Sequence, residues 1–192
     1  MIGIQFGAFN PIHKEHINNL KRIKKHFKDI KLFISPVSNQ YLEKRKNVKN
    51  IIDIKNRIKM YQIALKDTDI KLLDYEMKQD KIMYTYDILK YYANEYFKSK
   101  KIILIMGDDN LKSLRKWKNI DKYFNLCWIM FFPRLHLNKC LLVKSFEEYL
   151  KIKINDDVSN NVSSSLIKKD IDKWKNYLDD NVYLFIKENE LY

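Results

Sequence analysis

The chain predicts a doubly wound α/β sheet, mainly parallel, with helices on both faces. Three observations lead there. Short apolar runs, nearly continuous in Ile, Leu and Phe, alternate with longer segments whose apolar residues recur at three and four. Runs of the first kind suit parallel strands buried on both faces, and segments of the second kind suit covering helices. Only three glycines occur, and two of them, Gly7 and Gly107, stand where an apolar run stops and a polar cluster begins. In such sheets ligands bind beyond the carboxyl ends of the strands, which is where both of these glycines fall.

Each element has its own justification. Ile2 to Phe6 is the first strand, closed by Gly7, where a missing side chain permits a tight turn and lets backbone approach a ligand. Pro11 fixes φ and suits the first turn of the next helix, Glu15 to Phe27, whose Ile17, Leu20, Ile23 and Phe27 share one face. Ile30 to Ser35 is the second strand. Asn39 to Asn50 is rich in Lys, Arg and Asn without an apolar period, and reads as a mobile loop over the same sheet edge. A helix over Lys55 to Leu65, a strand over Ile70 to Asp74 and a helix over Thr85 to Phe97 follow. Ile102 to Met106 leads into Gly107, Leu126 to Phe132 is the next strand, and Tyr149 to Ile154 a further one. Asp156 to Ser165 is polar, a helical pattern begins at Leu166, and Val182 to Leu191 forms a terminal helix. No repeat or linker divides the chain, so residues 1–192 read as a single domain with a helical C-terminal segment.

Composition narrows the classes of function. Hydrophobic residues at 46% support a packed core despite 32% charged residues. No apolar run is long enough to span a bilayer, and Met1 leads directly into a strand-like run, so an intracellular, cytoplasmic protein is expected, with the nucleus left open. Cys127 and Cys140 are too few for a metal site, and Cys127 reads as a buried thiol. The net charge of +13 suggests an anionic partner. The lysines are spread along the chain, so solvated faces account for most of them. A basic nucleic-acid-binding module is the rival that this charge motivates.

The chemistry concentrates in two segments. After Gly7, His13 and His16 follow at a separation of three, at a helix start whose N–H groups and partial positive charge favour phosphate. Imidazole donates hydrogen bonds at neutral pH, and a nearby phosphate favours its protonated form. No third ligand accompanies the pair, so anion binding outweighs metal ligation. Near the other end stand Ser163, Ser164 and Ser165, then Lys168. One serine suffices to cap a helix; three with a lysine can also surround a phosphate group.

Together these segments resemble a known superfamily. Gly7-x-Phe9-x-Pro11-x-His13-x-x-His16 with Ser163-Ser164-Ser165-x-Ile167-Lys168 is similar to the nucleotidyltransferases that carry paired N-terminal histidines and a C-terminal Ile-Ser-Ser-Thr-x-x-Arg-type motif. Within them it looks like the nicotinate/nicotinamide mononucleotide adenylyltransferase family. Ile105-Met106-Gly107-Asp108-Asp109-Asn110-Leu111 with Trp117, Tyr84-Thr85-Tyr86-Asp87, Arg57-Ile58-Lys59-Met60 and the closing Leu191-Tyr192 carry the narrower likeness. Departures are Lys168 for Arg, Val162 and Ser165 for Ile and Thr, Glu15 for Gly, and Met83 for Ser. Glu15 would place a carboxylate near the phosphates.

The resemblance implies a Rossmann-like sheet and adenylyl transfer from ATP to a pyridine mononucleotide, with nicotinate mononucleotide preferred. It implies catalytic roles for His16, His13 and Lys168. It implies ATP contacts at Gly7, Ala8, Phe9, Gly107, Asp109, Ser163, Ser164 and Ser165. Tyr84, Thr85, Trp117, Lys44, Lys46 and Arg134 would serve the pyridine nucleotide, either Lys44 or Lys46 reaching its phosphate. Mg²⁺ would be held mainly by ATP phosphates rather than by a protein cage. Nucleic acid and membrane are not expected partners, and monomer and homodimer are both open. The alternative is another adenylyl- or cytidylyltransferase of the same superfamily.

Overall fold

The computed structural model describes residues 1–48, 51–98, 102–133, 139–152 and 162–192, and of Lys46 only the backbone. Seven strands form one sheet: β1 (Ile2–Gly7), β2 (Lys31–Pro36), β3 (Lys71–Leu72), β4 (Ile102–Gly107), β5 (Cys127–Phe132), β6 (Cys140–Val143) and β7 (Tyr149–Ile152), in the order β3-β2-β1-β4-β5-β6-β7. The first five are parallel, whereas β6 and β7 run antiparallel at one edge. Strand order reverses between β1 and β4, which creates a crevice at their carboxyl ends. Ile2 pairs with Ile102 and Gln5 with Ile105, so Gly7 and Gly107 end adjacent strands at the same level.

Among the described residues seven α-helices accompany the sheet: α1 (Lys14–His26), α2 (Asn39–Lys46), α3 (Ile54–Leu65), α4 (Thr85–Tyr91), α5 (Ile120–Tyr123), α6 (Ser164–Lys169) and α7 (Asp180–Glu188). Both faces are covered. Ile34, Ile105 and Met130 pack beneath Leu20 and Ile23 of α1, Met60 and Tyr61 of α3 and Ile186 of α7. Ile4, Leu104 and Ile129 meet Ile88 and Leu89 of α4, with Tyr92 and Tyr123. Each fully buried aliphatic side chain here contributes roughly 1.5–3 kcal/mol from removal of apolar surface from water.

Three expectations need correction. The stretch expected to be a loop from Asn39 forms α2, because the Ser38 hydroxyl accepts from Tyr41 N–H and Asn47 closes the helix in the left-handed region at φ 50°. Residues 49–50 of that stretch lie outside the described residues. Pro11 is not in the first turn of α1, which starts at Lys14 with His13 as its N-cap. The helix from Thr85 keeps α geometry only to Tyr91, then continues as a π turn over Tyr92–Tyr96. The short strand β6 was not expected at all. Cys127 and Cys140 are buried, with no disulfide between them, and burial pushes the Cys127 thiol well above its ordinary range.

Candidate active site

The turn from β1 to α1 is built around Phe9. A Cβ on Gly7 would stand 3.0 Å from Phe9 Cζ and 3.2 Å from Cε1, so this glycine makes room for a ring. The left-handed conformation falls on Phe9, at φ 44°, and on no glycine among the described residues. Phe9 is buried, and its ring meets His16 edge-on with centroids 4.9 Å apart. His13 and His16 stack at 3.6 Å and 28°. The His13 N–H donates to His16 Nδ1 at 3.2 Å. An Nδ1 that accepts places the proton of the neutral ring on Nε2, the tautomer that can donate to a phosphate oxygen.

Glu15 does not burden this turn with charge. Its Oε1 accepts from Asn18 Nδ2 at 2.9 Å, and its Oε2 pairs with Arg22 Nη1 at 3.3 Å, back along α1. The carboxylate in the place of a superfamily glycine is thus compensated from its own helix.

A buried guanidinium holds the turn from behind. Arg57, fully enclosed, donates through Nη2 to Ala8 O and Val37 O, both at 2.9 Å, through Nη1 to Asn39 Oδ1, and through Nε to Tyr61 Oη. The Tyr61 hydroxyl also donates to Ala8 O at 3.2 Å. The loops after β1 and β2 therefore hang on one residue of α3. Glu76, buried beside them, accepts from Ser38 N–H at 3.0 Å. Burial pushes its carboxyl up to about 7, with the Ser38 hydrogen bonds and the Arg57 charge pulling the other way.

The late segment reaches this turn directly. Ser163 caps α6 by accepting from Leu166 N–H, and Ser164 Oγ donates to Pro11 O at 2.9 Å. Two of the three serine hydroxyls thus serve the protein's own backbone, while Ser165 is exposed. Lys168 lies half-buried on the same helix, and burial lowers the pKa of its ammonium below the ordinary lysine range.

A second cluster lies around Tyr84. Arg45 Nη2 of α2 donates to Tyr84 Oη, and Lys118 Nζ sits 4.3 Å from the centre of the same ring. Thr85 shares a hydrogen bond with the buried Tyr123 hydroxyl, and the Tyr123 ring meets Trp117 edge-on at 5.7 Å. Thr85 and Trp117 are therefore linked through Tyr123, next to Tyr84. Lys44 is exposed on α2 and Asp109 is exposed just beyond Gly107, at the start of a 3₁₀ stretch over Asp108–Lys116. Gly107 itself has φ −72°, an ordinary value. Arg134 and His136 lie outside the described residues.

Sequence reasoning missed several participants. Arg45 was hidden between Lys44 and Lys46 in what read as a loop, and Lys118 followed a tryptophan that drew the attention. Arg57 enters the sequence reading only through the Arg57-Ile58-Lys59-Met60 likeness, and nothing in the sequence announces its burial. Asn10, which accepts from the Tyr192 hydroxyl, stood between two residues of the recognised motif.

A sheet whose strand order reverses above a stacked imidazole pair, with a capped serine segment bonded to the same turn, defines a nucleotidyltransferase. The match to the cytidylyltransferase-like family model extends over residues 4–170. A probable nicotinate-nucleotide adenylyltransferase of Clostridium acetobutylicum is 33% identical over 97% of this chain and 96% of its own length. Another of that name from Clostridium botulinum is 30% identical over the same shares. The chain belongs to the cytidylyltransferase-like family, within its nicotinate-nucleotide adenylyltransferase branch. The fold is also that of Plasmodium falciparum nicotinic acid mononucleotide adenylyltransferase complexed with NaAD, at a TM-score of 0.75 and 22% identity over 99% of this chain and 96% of that one.

Proposed function

We infer that this protein transfers the adenylyl group of ATP to nicotinate mononucleotide, releasing pyrophosphate, as a step in NAD biosynthesis. The observation that carries the reading is the Ser164–Pro11 hydrogen bond, which joins the histidine turn to the helix bearing Lys168. One triphosphate can then meet groups from both ends of the chain.

In the reaction an oxygen of the mononucleotide phosphate bonds to the α-phosphorus as the bond to the pyrophosphate oxygen breaks. The attacking phosphate is already anionic, so the step needs no general base. The protein instead holds two repelling anions in line and stabilises charge moving onto the leaving group. His16 donates from Nε2 to the α-phosphate, and His13 supports neighbouring oxygens. Lys168 supplies charge to the β- and γ-phosphates, with Ser165 and backbone N–H groups beside it; Ser163 and Ser164 hold the segment in place. Gly7, Ala8 and Phe9 shape the floor, and Gly107 with Asp109 serves a ribose. Among the described residues no three His, Cys, Asp or Glu side chains converge, so Mg²⁺ would arrive on the triphosphate and neutralise its charge there.

Trp117 stacks on the pyridine ring, and Tyr84 with Thr85 addresses its carboxylate. Arg45 and Lys118, gathered on Tyr84, raise the local positive potential toward an acid substrate. Lys44 or Lys46 would serve the mononucleotide phosphate, as the sequence leads one to expect; Arg134 lies outside the described residues. The test is pyrophosphate release with ATP, Mg²⁺ and each pyridine mononucleotide in turn. Release with nicotinate mononucleotide several-fold faster than with the amide is expected. Release with neither, or only with an acceptor such as phosphopantetheine, overturns the assignment. Among the described residues no helix is long and apolar enough to cross a membrane.

A further inference from the structure

Tyr192 stands at a junction that the reaction described above does not use. Its hydroxyl donates to Asn10 Oδ1, in the turn between Phe9 and the histidines. Asn10 is buried while Tyr192 keeps part of its surface in solvent, so this bond is partly screened from water. Lys168 Nζ sits 6.0 Å from the centre of the Tyr192 ring, on its face. The charge of Arg57 and the hydroxyl of Tyr61 are both felt electrostatically at the same phenol. Leu191 N–H donates to Ile186 O at 3.0 Å, and Leu191 packs on the core, so the segment bearing Tyr192 is anchored to α7.

One ring thus touches both halves of the candidate triphosphate site. We propose that Tyr192 is a positioning residue for ATP: its hydroxyl fixes Asn10 and the turn that carries His13, and its ring seats the Lys168 ammonium. Burial pushes the phenol well above its ordinary range, so it remains a protonated donor throughout the working pH range. The inference rests on the adenylyltransferase reading for the identity of the nucleotide. The residue pairs themselves do not depend on it.

The experiment separates the two contributions. Tyr192→Phe keeps the ring and removes the donor; Tyr192→Leu removes both. Calorimetric binding of α,β-methylene-ATP with Mg²⁺ is measured for each, alongside steady-state KM for ATP and for nicotinate mononucleotide. We expect Tyr192→Phe to weaken analogue binding about five- to tenfold, within the range of one intramolecular hydrogen bond. Tyr192→Leu should weaken it further, while KM for the mononucleotide stays within about twofold. In an Asn10→Ala background Tyr192→Phe should have no additional effect, because its partner is gone. Equal losses for both substrates, or a lowered melting temperature with unchanged analogue affinity, would mean that Tyr192 only anchors the chain and would overturn the proposal. Because analogue binding needs no turnover, an inactive wild-type protein would refute the reaction without deciding the role of Tyr192.

Discussion

Phe9 occupies a backbone region that a phenylalanine seldom adopts, a departure that costs roughly 1–3 kcal/mol and persists where surroundings over-determine it. Its ring is held against His16 on one side and fills the space above Gly7 on the other. Gly7→Ala should therefore act through this ring. We expect turnover to fall at least tenfold while the urea midpoint changes little, because Phe9 can shift but His16 then loses its edge contact. A large fall in stability with normal turnover would contradict that coupling. His16→Ala removes the donor to the α-phosphate and should cut kcat on the order of a hundredfold or more, with far-UV circular dichroism unchanged. Near-normal turnover in that variant would remove His16 from the mechanism.

At the scale of elements, α2 depends on a cap that depends on a carboxyl. Ser38 caps α2 through its hydroxyl and gives its own N–H to Glu76. Glu76 titrates at about 7 in the fold against 4.5 outside it, so the folded state binds its proton more tightly. Stability contributed by this group is complete below about pH 4.5 and declines as pH rises through 7. Glu76→Gln keeps an acceptor without the charge. We expect the wild type to lose up to about 3 kcal/mol relative to this variant between pH 5 and pH 8, read from urea midpoints. Equal pH profiles would show that Glu76 is ionised at no cost.

The same elements show what a linear reading captures. Strands β1, β2, β4 and β5 were legible to within a residue or two, because burial on both faces leaves nearly continuous apolar runs. Helix α2 was not, since among its described side chains only Leu42 is buried and its signals are the caps Ser38 and Asn47. Strand β6 is four residues long and pairs antiparallel with β5, so no crossover helix announces it. In the site, the histidines, Tyr84, Thr85 and Trp117 were legible from motif residues. Arg57 and Tyr192 were not assigned roles there, because their partners lie tens of residues away in sequence and meet only through the sheet order.

Over the whole molecule, the proposed pyridine site would draw on α2, the start of α4 and the end of the 3₁₀ stretch after β4. If these close around a ring, Trp117 should report it. In a Trp128→Phe, Trp174→Phe background, nicotinate mononucleotide should quench the remaining fluorescence in a saturable manner. An unchanged spectrum at saturating substrate would assign Trp117 to packing alone. The charge of +13 needs no nucleic acid in this picture, since two polyanionic substrates must be gathered into one crevice. One arrangement has a further consequence for how the enzyme fails. The guanidinium of Arg57 ties the loops after two neighbouring strands to α3 and commits four of its five N–H donors around that junction. Catalytic power and global integrity are thereby fastened to the same rivet. On heating, activity should vanish over the same few degrees as the calorimetric transition, with no cooler interval in which an intact molecule sits idle.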